Sequence, residues 1–401
     1  MNRTPRPVVR LRRPLDRAVR SGHPWIYREA LERHEHPPGT PVRIVNKDGK
    51  AIGAGLVDAG PIGVRVWSAV DVPVDAALIH ARLHDALQLR ARVVPPETTA
   101  YRLVHGEGDR MPGVQCDRYE NVAVLRFDAE GESLSLVRDD LLEALREQLS
   151  AIGIDTLIER SSRRAKTAPH GAGAGMRVAW GELPPQPMVV TENGMKLAVD
   201  VVHGQKTGLF LDQREARARI RSLARDATLV NLYGYTGGFS IAAALGGARH
   251  VTTVDIAPAA LELAARTFEL NGVDSARHAT VASDVHDWLK AQAEKRARYD
   301  IVIADPPNFA PSEAAREAAL ASYAELHALA LSVVEPGGLY IAGSCSSHVD
   351  LAAFIETLRS GAQRARKVVQ VLDQHGAPPD HPRLLAFPEG EYLKVVLARV
   401  F

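Results

Sequence analysis

The chain has 401 residues, of which 46% are hydrophobic, and its 49 lysines and arginines nearly balance its 48 aspartates and glutamates. This length exceeds what one hydrophobic core usually supports, so we expect two or three domains. No apolar run approaches the length of a membrane span, and the N-terminus lacks the apolar region of a secretory signal, which predicts a cytoplasmic protein without membrane contact. Two cysteines, Cys116 and Cys345, exclude a disulfide framework and a four-cysteine zinc site.

Residues 1–75 are predicted to form a small β-rich module. Two strand candidates flank a KDGK turn within 42–58, because Asp-Gly favours a tight hairpin, and a third strand candidate lies at 63–68. A short helix is expected within 17–27, ended by Gly22 and Pro24.

The N-terminal module is also locally basic. Residues 1–33 contain nine arginines and three acidic residues, a balance of +6, and a second basic cluster consists of Arg160, Arg163, Arg164 and Lys166. Local basic clusters in a neutral protein are what contact with nucleic-acid phosphates requires, although solvated surfaces explain them equally well.

Residues 76–190 are predicted to form a central α+β domain. Its periodicity indicates helices at 75–94 and 135–153 and a strand at 121–128. The glycine- and proline-rich stretch 167–187 is predicted to be a loop or hairpin, and its GAGAG lacks the preceding strand and following helix of a phosphate loop. His80 and His84 lie four residues apart, but no HExxH glutamate accompanies them, so we predict surface histidines and no metal site.

Residues 191–401 repeat the order strand, turn, helix five times. This order predicts an α/β, doubly wound, Rossmann-like domain with a parallel sheet. The last two strand candidates, KVVQVLD and EYLKVVLARV, are not separated by a long helix, so we expect a closing antiparallel hairpin.

A glycine turn follows the first strand of this domain, in NLYGYTGGFS at 231–240. A strand that leads into a glycine turn and a helix allows a ligand to approach the backbone closely. Gly234, Gly237 and Gly238 miss the G-x-G-x-x-G spacing of nicotinamide enzymes, and the looser turn suits a ligand with an amino-acid end.

Two carboxylates end the next two strands. Asp255, 21 residues after Gly234, is placed to bind a ribose diol, and Asp284 is placed near an adenine edge. Helix capping is the alternative role for each. Ribose, adenine and an amino-acid tail together describe S-adenosyl-L-methionine, which we predict as the cofactor.

The segment ADPPNF at 304–309 follows a buried strand candidate. We predict that Pro306 and Pro307 hold the chain rigid beyond Asp305 and that Asn308 and Phe309 are directed into a cleft. Amino-methylating enzymes grip an extruded base with an (N/D)PP(Y/F) tetrad. The extra residue before the aromatic ring argues against amino methylation here.

The segment GSCSS at 343–347 places Cys345 at the same sheet edge as Asp305. Carbon 5 of a pyrimidine is too weak a nucleophile to take a methyl group unaided, and addition of a thiolate at carbon 6 activates it. We therefore predict Cys345 as the catalytic nucleophile and Asp305 as the acid that hydrogen-bonds the ring. A small buried structural cysteine is the alternative.

Five segments together carry a family resemblance: VVHGQKTGLFLDQREAR (201–217), NLYGYTGGFS, VDIAPAALELAARTFELNG, IADPPNFAPS and GSCSSH. They resemble the PUA-containing, class I S-adenosylmethionine-dependent rRNA large-subunit cytosine-5 methyltransferase family of the RlmI/YccW type. The likeness covers nearly the whole chain. It implies an RNA-binding PUA-like module at 1–75, a central linking domain at 76–190 and a methyltransferase domain at 191–401.

Carried over by position, the resemblance implies that Gln213, with Asp212 beside it, lines the cofactor pocket and that Cys345 is the nucleophile. The cofactor residues that we predict from motif and resemblance are Gln213, Tyr233, Gly234, Thr236, Gly237, Asp255, Asp284 and Asp305. The predicted base-binding residues are Pro306, Pro307, Asn308 and Phe309.

The resemblance also implies the partner, 23S rRNA, free or in a partly assembled large subunit; a homodimer stays open. The first alternative function is guanine or adenine methylation, with Cys345 as a bystander. The second is an RNA-binding protein that has lost its methyltransferase activity. A nicotinamide dehydrogenase is disfavoured by the glycine spacing and by DPPNF.

Overall fold

The computed structural model describes residues 6–161 and 175–401, which group into two units. The first unit takes the chain up to Pro95, Thr99–Pro184 and Pro379–Gly390. The second takes Pro96–Thr98, Pro185–Pro378 and Glu391–Phe401. The segment Pro379–Gly390 is therefore flanked on both sides by residues of the second unit, although it packs with the first.

The N-terminal part of the first unit is a five-stranded sheet with the order β1-β3-β4-β5-β2. The predicted hairpin is confirmed, because β3 and β4 pair antiparallel. Asn46 closes their connection, since its Oδ1 accepts from the backbone N–H of Asp48 at 3.1 Å and of Lys50 at 2.9 Å. The elements are β1 (Val8–Arg10), α1 (Asp16–Arg20), β2 (Trp25–Tyr27), β3 (Pro41–Val45), β4 (Ala51–Val57) and β5 (Ile62–Ser68).

The rest of the first unit contains a second five-stranded sheet, with the order β10-β9-β8-β7-β6. Both predicted helices are confirmed as α2 and α3, and the predicted strand as β8, whereas β6, β7 and β9 were not predicted. The elements are α2 (Ala76–Val93), β6 (Ala100–His105), β7 (Val114–Tyr119), β8 (Val122–Phe127), α3 (Arg138–Ser150), β9 (Thr156–Arg160) and β10 (Met176–Trp180).

Part of the predicted loop at 167–187 is strand β10, which pairs antiparallel with β9. Most of the basic cluster at 160–166 and the whole of GAGAG lie outside the described residues. His80, on α2, lies 3.6 Å from Glu147 of α3.

A buried arginine joins α2 to the segment Pro379–Gly390. Arg90 is 2% exposed, and its guanidinium donates to both carboxylate oxygens of Asp109, at 2.5 and 2.7 Å. It also donates to the backbone oxygen of Asp380 at 2.7 Å. The bidentate pair satisfies the buried charge, which would otherwise be costly.

The second unit is built on a seven-stranded sheet with the order β15-β14-β13-β16-β17-β19-β18. Strands β13 to β17 are parallel, and β19 is antiparallel to both β17 and β18, so the predicted parallel sheet and closing hairpin are confirmed. A separate hairpin, β11–β12, precedes the sheet and was not predicted. The strands are β11 (Met188–Glu192), β12 (Met195–Val199), β13 (Thr228–Leu232), β14 (His250–Asp255), β15 (His278–Ala282), β16 (Tyr299–Ala304), β17 (Val334–Ser344), β18 (Val369–His375) and β19 (Lys394–Val400).

Helices cover this sheet, and each parallel strand is followed by one. They are α4 (Arg214–Leu223), α5 (Gly238–Leu245), α6 (Pro258–Leu270), α7 (Val285–Glu294), α8 (Arg316–Ser332) and α9 (Leu351–Ala365). The strand order reverses between β13 and β16, and in doubly wound sheets ligands bind beyond the carboxyl ends of the strands at that point. Within the described ranges, no helix is long and apolar enough to cross a membrane.

Candidate active site

A cavity of about 270 Å³ lies at the carboxyl ends of the parallel strands, and all its wall residues belong to the second unit. It brings together most of the predicted site residues. Among the described residues of its wall, Gly237 and Phe309 are missing. The predicted residues on the wall are Gln213, Tyr233, Gly234, Thr236, Asp255, Asp284, Asp305, Pro306, Pro307, Asn308 and Cys345.

The glycine turn after β13 has an unusual backbone. Tyr233 and Tyr235 have φ of 56° and 47°, in the left-handed region that side chains other than glycine rarely adopt. Gly237 has φ of 76°, and a Cβ there would lie 2.9 Å from Cβ of Ala264 on α6. A Cβ at Gly234 would lie 2.4 Å from Cγ2 of Thr253 on β14. The glycines are therefore required where the turn packs closely against its neighbours.

The two carboxylates after β14 and β15 line the cavity and also hold local backbone. Asp255 accepts from the N–H of Tyr235 and of Ala257, both at 2.9 Å. Asp284 is the N-cap of α7, and it accepts from the N–H of His286 at 2.8 Å and of Asp287 at 3.1 Å. A carboxylate has about four acceptor positions, so capping leaves each of them able to bind a ligand hydroxyl or amine.

Asp305 follows β16 and is held by a glutamine. Nε2 of Gln213 donates to its Oδ2 at 2.9 Å. Burial raises the pKa of Asp305 to about 7, and the nearby Asp212 carboxylate adds to this effect. Gly343 on β17 makes room for it, because a Cβ there would lie 2.3 Å from Oδ1 of Asp305. Asp305 is thus a carboxyl group that exchanges its proton near neutral pH.

Gln213 has an unused acceptor. Its side chain is 2% exposed, and Oε1 has no hydrogen-bond partner among the described residues. Buried polar atoms are nearly always paired, so this atom indicates a donor that a bound ligand supplies. Behind it, Arg217 donates to the buried carboxylate of Glu192 at 2.7 Å and to the backbone oxygen of Phe210 at 2.9 Å, which fixes the wall.

The segment before α4 contributes wall residues that sequence reasoning did not single out. Lys206 has φ of 55°, and its ammonium lies 5.8 Å from the ring centroid of Phe210. The hydroxyl of Tyr235 accepts from the N–H of Gln205 at 2.7 Å and donates to the backbone oxygen of Gly208 at 3.2 Å. The glycine turn and this segment therefore hold each other. The HGQKTGLF motif was the signal available in the sequence.

The loops that carry Cys345 and the Pro-Pro motif are tied together. The hydroxyl of Tyr323 lies 2.9 Å from Oγ of both Ser344 and Ser346, on either side of the cysteine. Ser346 Oγ donates to Oδ1 of Asn308 at 2.7 Å. Asn308 thus holds the cysteine loop through its side-chain oxygen.

Phe309 does not face the cavity as predicted. It packs against the core, with its ring centroid 4.9 Å from that of Tyr323. The extra residue after the prolines turns the aromatic ring away from the cavity that Pro306 and Pro307 line.

Cys345 lines the cavity and is partly exposed. Burial raises the pKa of its thiol to about 11, with further increases from Asp305 and Asp212, and it is lowered by Lys206 and Lys394. The other thiol, Cys116, is fully buried in the first unit, and burial raises its pKa far above the usual value. The two cysteines therefore differ in access.

Comparison with known proteins identifies the fold and the cofactor. Residues 134–386 match the S-adenosylmethionine-dependent methyltransferase family, and residues 9–69 match a PUA-like domain. A solved structure described as a SAM-dependent methyltransferase, from Streptococcus mutans, superposes with a TM-score of 0.84 at 24% identity, over 98% of this chain and 100% of that one. A second methyltransferase structure, complexed with SAH, gives 0.85 at 24% identity, over 99% and 100%.

The fold and the cavity thus define a methyltransferase that uses S-adenosylmethionine, with an N-terminal PUA-like module. A relative from Deinococcus radiodurans, named ribosomal RNA large subunit methyltransferase, is 36% identical over 99% of this chain and 98% of its own. Ribosomal RNA large subunit methyltransferase I of Vibrio vulnificus is 34% identical over 96% and 97%. The chain belongs to the family of ribosomal RNA large subunit methyltransferases.

Proposed function

We propose that the protein methylates carbon 5 of a cytosine in 23S rRNA through a covalent adduct with Cys345. The names of the relatives support a substrate in the large-subunit rRNA. The observation that carries the cytosine assignment is that Cys345 shares one cavity wall with Asp305 and the glycine turn. A thiol in that position is needed for pyrimidine carbon-5 chemistry, whereas methylation of an amino group needs none.

The wall residues fit S-adenosylmethionine. Asp255 is proposed to bind the ribose diol, Asp284 the adenine edge, and Oε1 of Gln213 a ligand donor that pairs this buried atom. The backbone of the turn around Gly234 and Thr236 leaves space for the amino-acid end, since no Cβ projects at the glycine. When bound, the cofactor supplies an electrophilic methyl group on a sulfonium.

Cys345 is proposed to act as the nucleophile on a cytosine flipped out of the RNA. Its proton leaves, the sulfur forms a bond to carbon 6, and the electron pair moves to carbon 5, which takes the methyl group. Asp305, whose pKa is about 7, donates its proton as a hydrogen bond to the ring nitrogen and stabilises the charge that develops there. Loss of the carbon-5 proton then breaks the sulfur–carbon bond and restores the thiolate.

The PUA-like module is proposed to hold the RNA by its phosphates. Three arginines on and just before α1 are exposed, and cations on a surface bind phosphate without reading sequence. They are Arg12, Arg17 and Arg20.

The test compares two single-cysteine variants. The wild type, Cys345→Ala and Cys116→Ala are incubated with methyl-labelled cofactor and unmodified 23S rRNA, either free or in a partly assembled subunit. We expect Cys345→Ala to lose methyl transfer while it still binds the cofactor by calorimetry, and Cys116→Ala to retain transfer. Turnover by Cys345→Ala at the wild-type rate would refute covalent catalysis.

The second candidate function is guanine or adenine methylation without a covalent step. It is favoured by one observation: a thiol with a pKa of about 11 is uncharged at neutral pH unless a nearby positive charge lowers that value. Mass spectrometry of the labelled nucleotide distinguishes the two, because 5-methylcytosine and a methylated purine differ in mass.

A further inference from the structure

Lys394 is buried beside the cysteine loop. It opens β19 and pairs in register with Ser344, the residue before Cys345, and it is 3% exposed. Its ammonium donates to the backbone oxygen of Ser346, the residue after Cys345, at 2.6 Å. A second donor hydrogen binds the backbone oxygen of Tyr392 at 2.8 Å. Lys394 therefore contacts the chain on both sides of Cys345.

A buried ammonium needs both hydrogen-bond acceptors and negative charge. The two carbonyl oxygens take two of its three hydrogens but carry no net charge. Burial lowers the pKa of Lys394 to about 8, and the anionic groups that oppose this are Cys345 first, then Asp350 and Glu391. A charged Lys394 and an ionised Cys345 therefore stabilise each other.

The other charged groups around Cys345 oppose one another. Asp305 and Asp212 disfavour the thiolate, and Lys206 and Lys394 favour it. Lys206 lies on an exposed segment of the cavity wall, where water screens its charge. Lys394 is enclosed by protein and fixed by two hydrogen bonds, so its position relative to the cysteine loop is set by the fold.

We propose that Lys394 is a positioning residue for Cys345. Its ammonium holds the backbone that follows the cysteine and supplies the positive charge against which the thiolate forms. This inference rests on the proposed role of Cys345 as the nucleophile. The competing explanation is a structural lysine that only satisfies two carbonyl groups.

The test measures alkylation of Cys345 by iodoacetamide as a function of pH, in the full chain without RNA, with the modified site read by mass spectrometry. Lys394→Gln keeps hydrogen-bond donors but removes the charge, Lys394→Met removes both, and Lys394→Arg keeps the charge. Lys290→Met, at an exposed lysine on α7, is the matched control. Calorimetric binding of S-adenosylmethionine reports whether each variant is folded.

We expect the alkylation midpoint of Lys394→Gln and Lys394→Met to rise by about one pH unit, which slows alkylation about tenfold below the midpoint. Lys394→Arg and Lys290→Met should keep the wild-type midpoint. An unchanged midpoint in Lys394→Gln would overturn the proposal. Loss of cofactor binding in both neutral variants would also overturn it, since that would make Lys394 a structural residue.

This outcome is separate from the fate of the proposed function. Alkylation requires neither RNA nor methyl transfer, so it reports on Lys394 even if Cys345→Ala continues to methylate. Conversely, an inactive Cys345→Ala with an unchanged midpoint in Lys394→Gln would retain covalent catalysis and reject the role of the lysine.

Discussion

The buried Asp305 carboxyl lets us predict a variant that loses activity and gains stability. Asp305→Asn keeps an oxygen for the Gln213 amide, which donates at 2.9 Å, but it cannot ionise. Because the folded-state pKa rises from 3.8 to about 7, the folded protein binds this proton more tightly than the unfolded chain. The resulting stability is fully present below about pH 4 and is lost as the pH rises to about 7.

The size of the effect follows from the same values. One pKa unit corresponds to about 1.4 kcal/mol, so the ionised carboxyl costs the folded wild type up to about 4 kcal/mol above pH 7 and about 2 kcal/mol near pH 5.5. Asp305→Asn avoids this cost. We expect it to exceed the wild type in free energy of unfolding, and by about 2 kcal/mol more at about pH 8 than at about pH 5.5.

Urea-induced unfolding, followed by hydrogen exchange of the β16 and β17 amides, measures this difference, with the exposed Asp287→Asn on α7 as the charge control. We expect methyl transfer by Asp305→Asn to fall about a hundredfold, as when a donor to a developing charge is removed. A variant no more stable than the wild type at about pH 8 would refute the reasoning, since the carboxyl would then not be strained by its surroundings.

Three further predictions concern the cavity wall and the RNA. Gly343→Ala forces a Cβ to within 2.3 Å of Asp305, so methyl transfer should fall more than tenfold, whereas Gly376→Ala, with 3.4 Å of clearance, should not; equal activities would contradict this. Arg217→Met leaves Glu192 buried without its partner and should cost about 3–5 kcal/mol in thermal unfolding, which a second change of Glu192 to Gln should largely restore. Replacing three exposed arginines with glutamine should weaken RNA binding for every sequence and reduce its salt dependence by nearly one log unit per phosphate contact; an unchanged slope would argue against their role, and the residues are Arg12, Arg17 and Arg20.

Topology explains how much of the site the sequence predicts. Asp255, Asp284, Asp305 and Cys345 each follow a strand of a parallel sheet, so recognising the strands was enough to bring them to one edge. The cavity could therefore be assembled before any coordinates. The domain boundaries at 75 and 190 and the cytoplasmic location stay predictions.

Residues whose role depends on pairing register or on distant contacts were missed. Lys394 reads as one charge in a strand candidate, and only the antiparallel pairing of β19 with β17 places it next to Ser344. Tyr392, two residues earlier, donates to Asp212 at 2.8 Å across 180 positions, which no local pattern encodes. Phe309 was misplaced because the direction of its side chain depends on packing against Tyr323 rather than on the motif.

The segment Pro379–Gly390 has a consequence for biosynthesis. Arg90 and Asp380 are 290 positions apart, yet the first unit places the backbone oxygen of Asp380 against a buried guanidinium. While the ribosome is still making the methyltransferase sheet, that arginine lacks one of its acceptors. The N-terminal half therefore reaches its final form only after nearly all of the chain has been translated, and a fragment ending near residue 184 would retain an incompletely solvated charge in its interior.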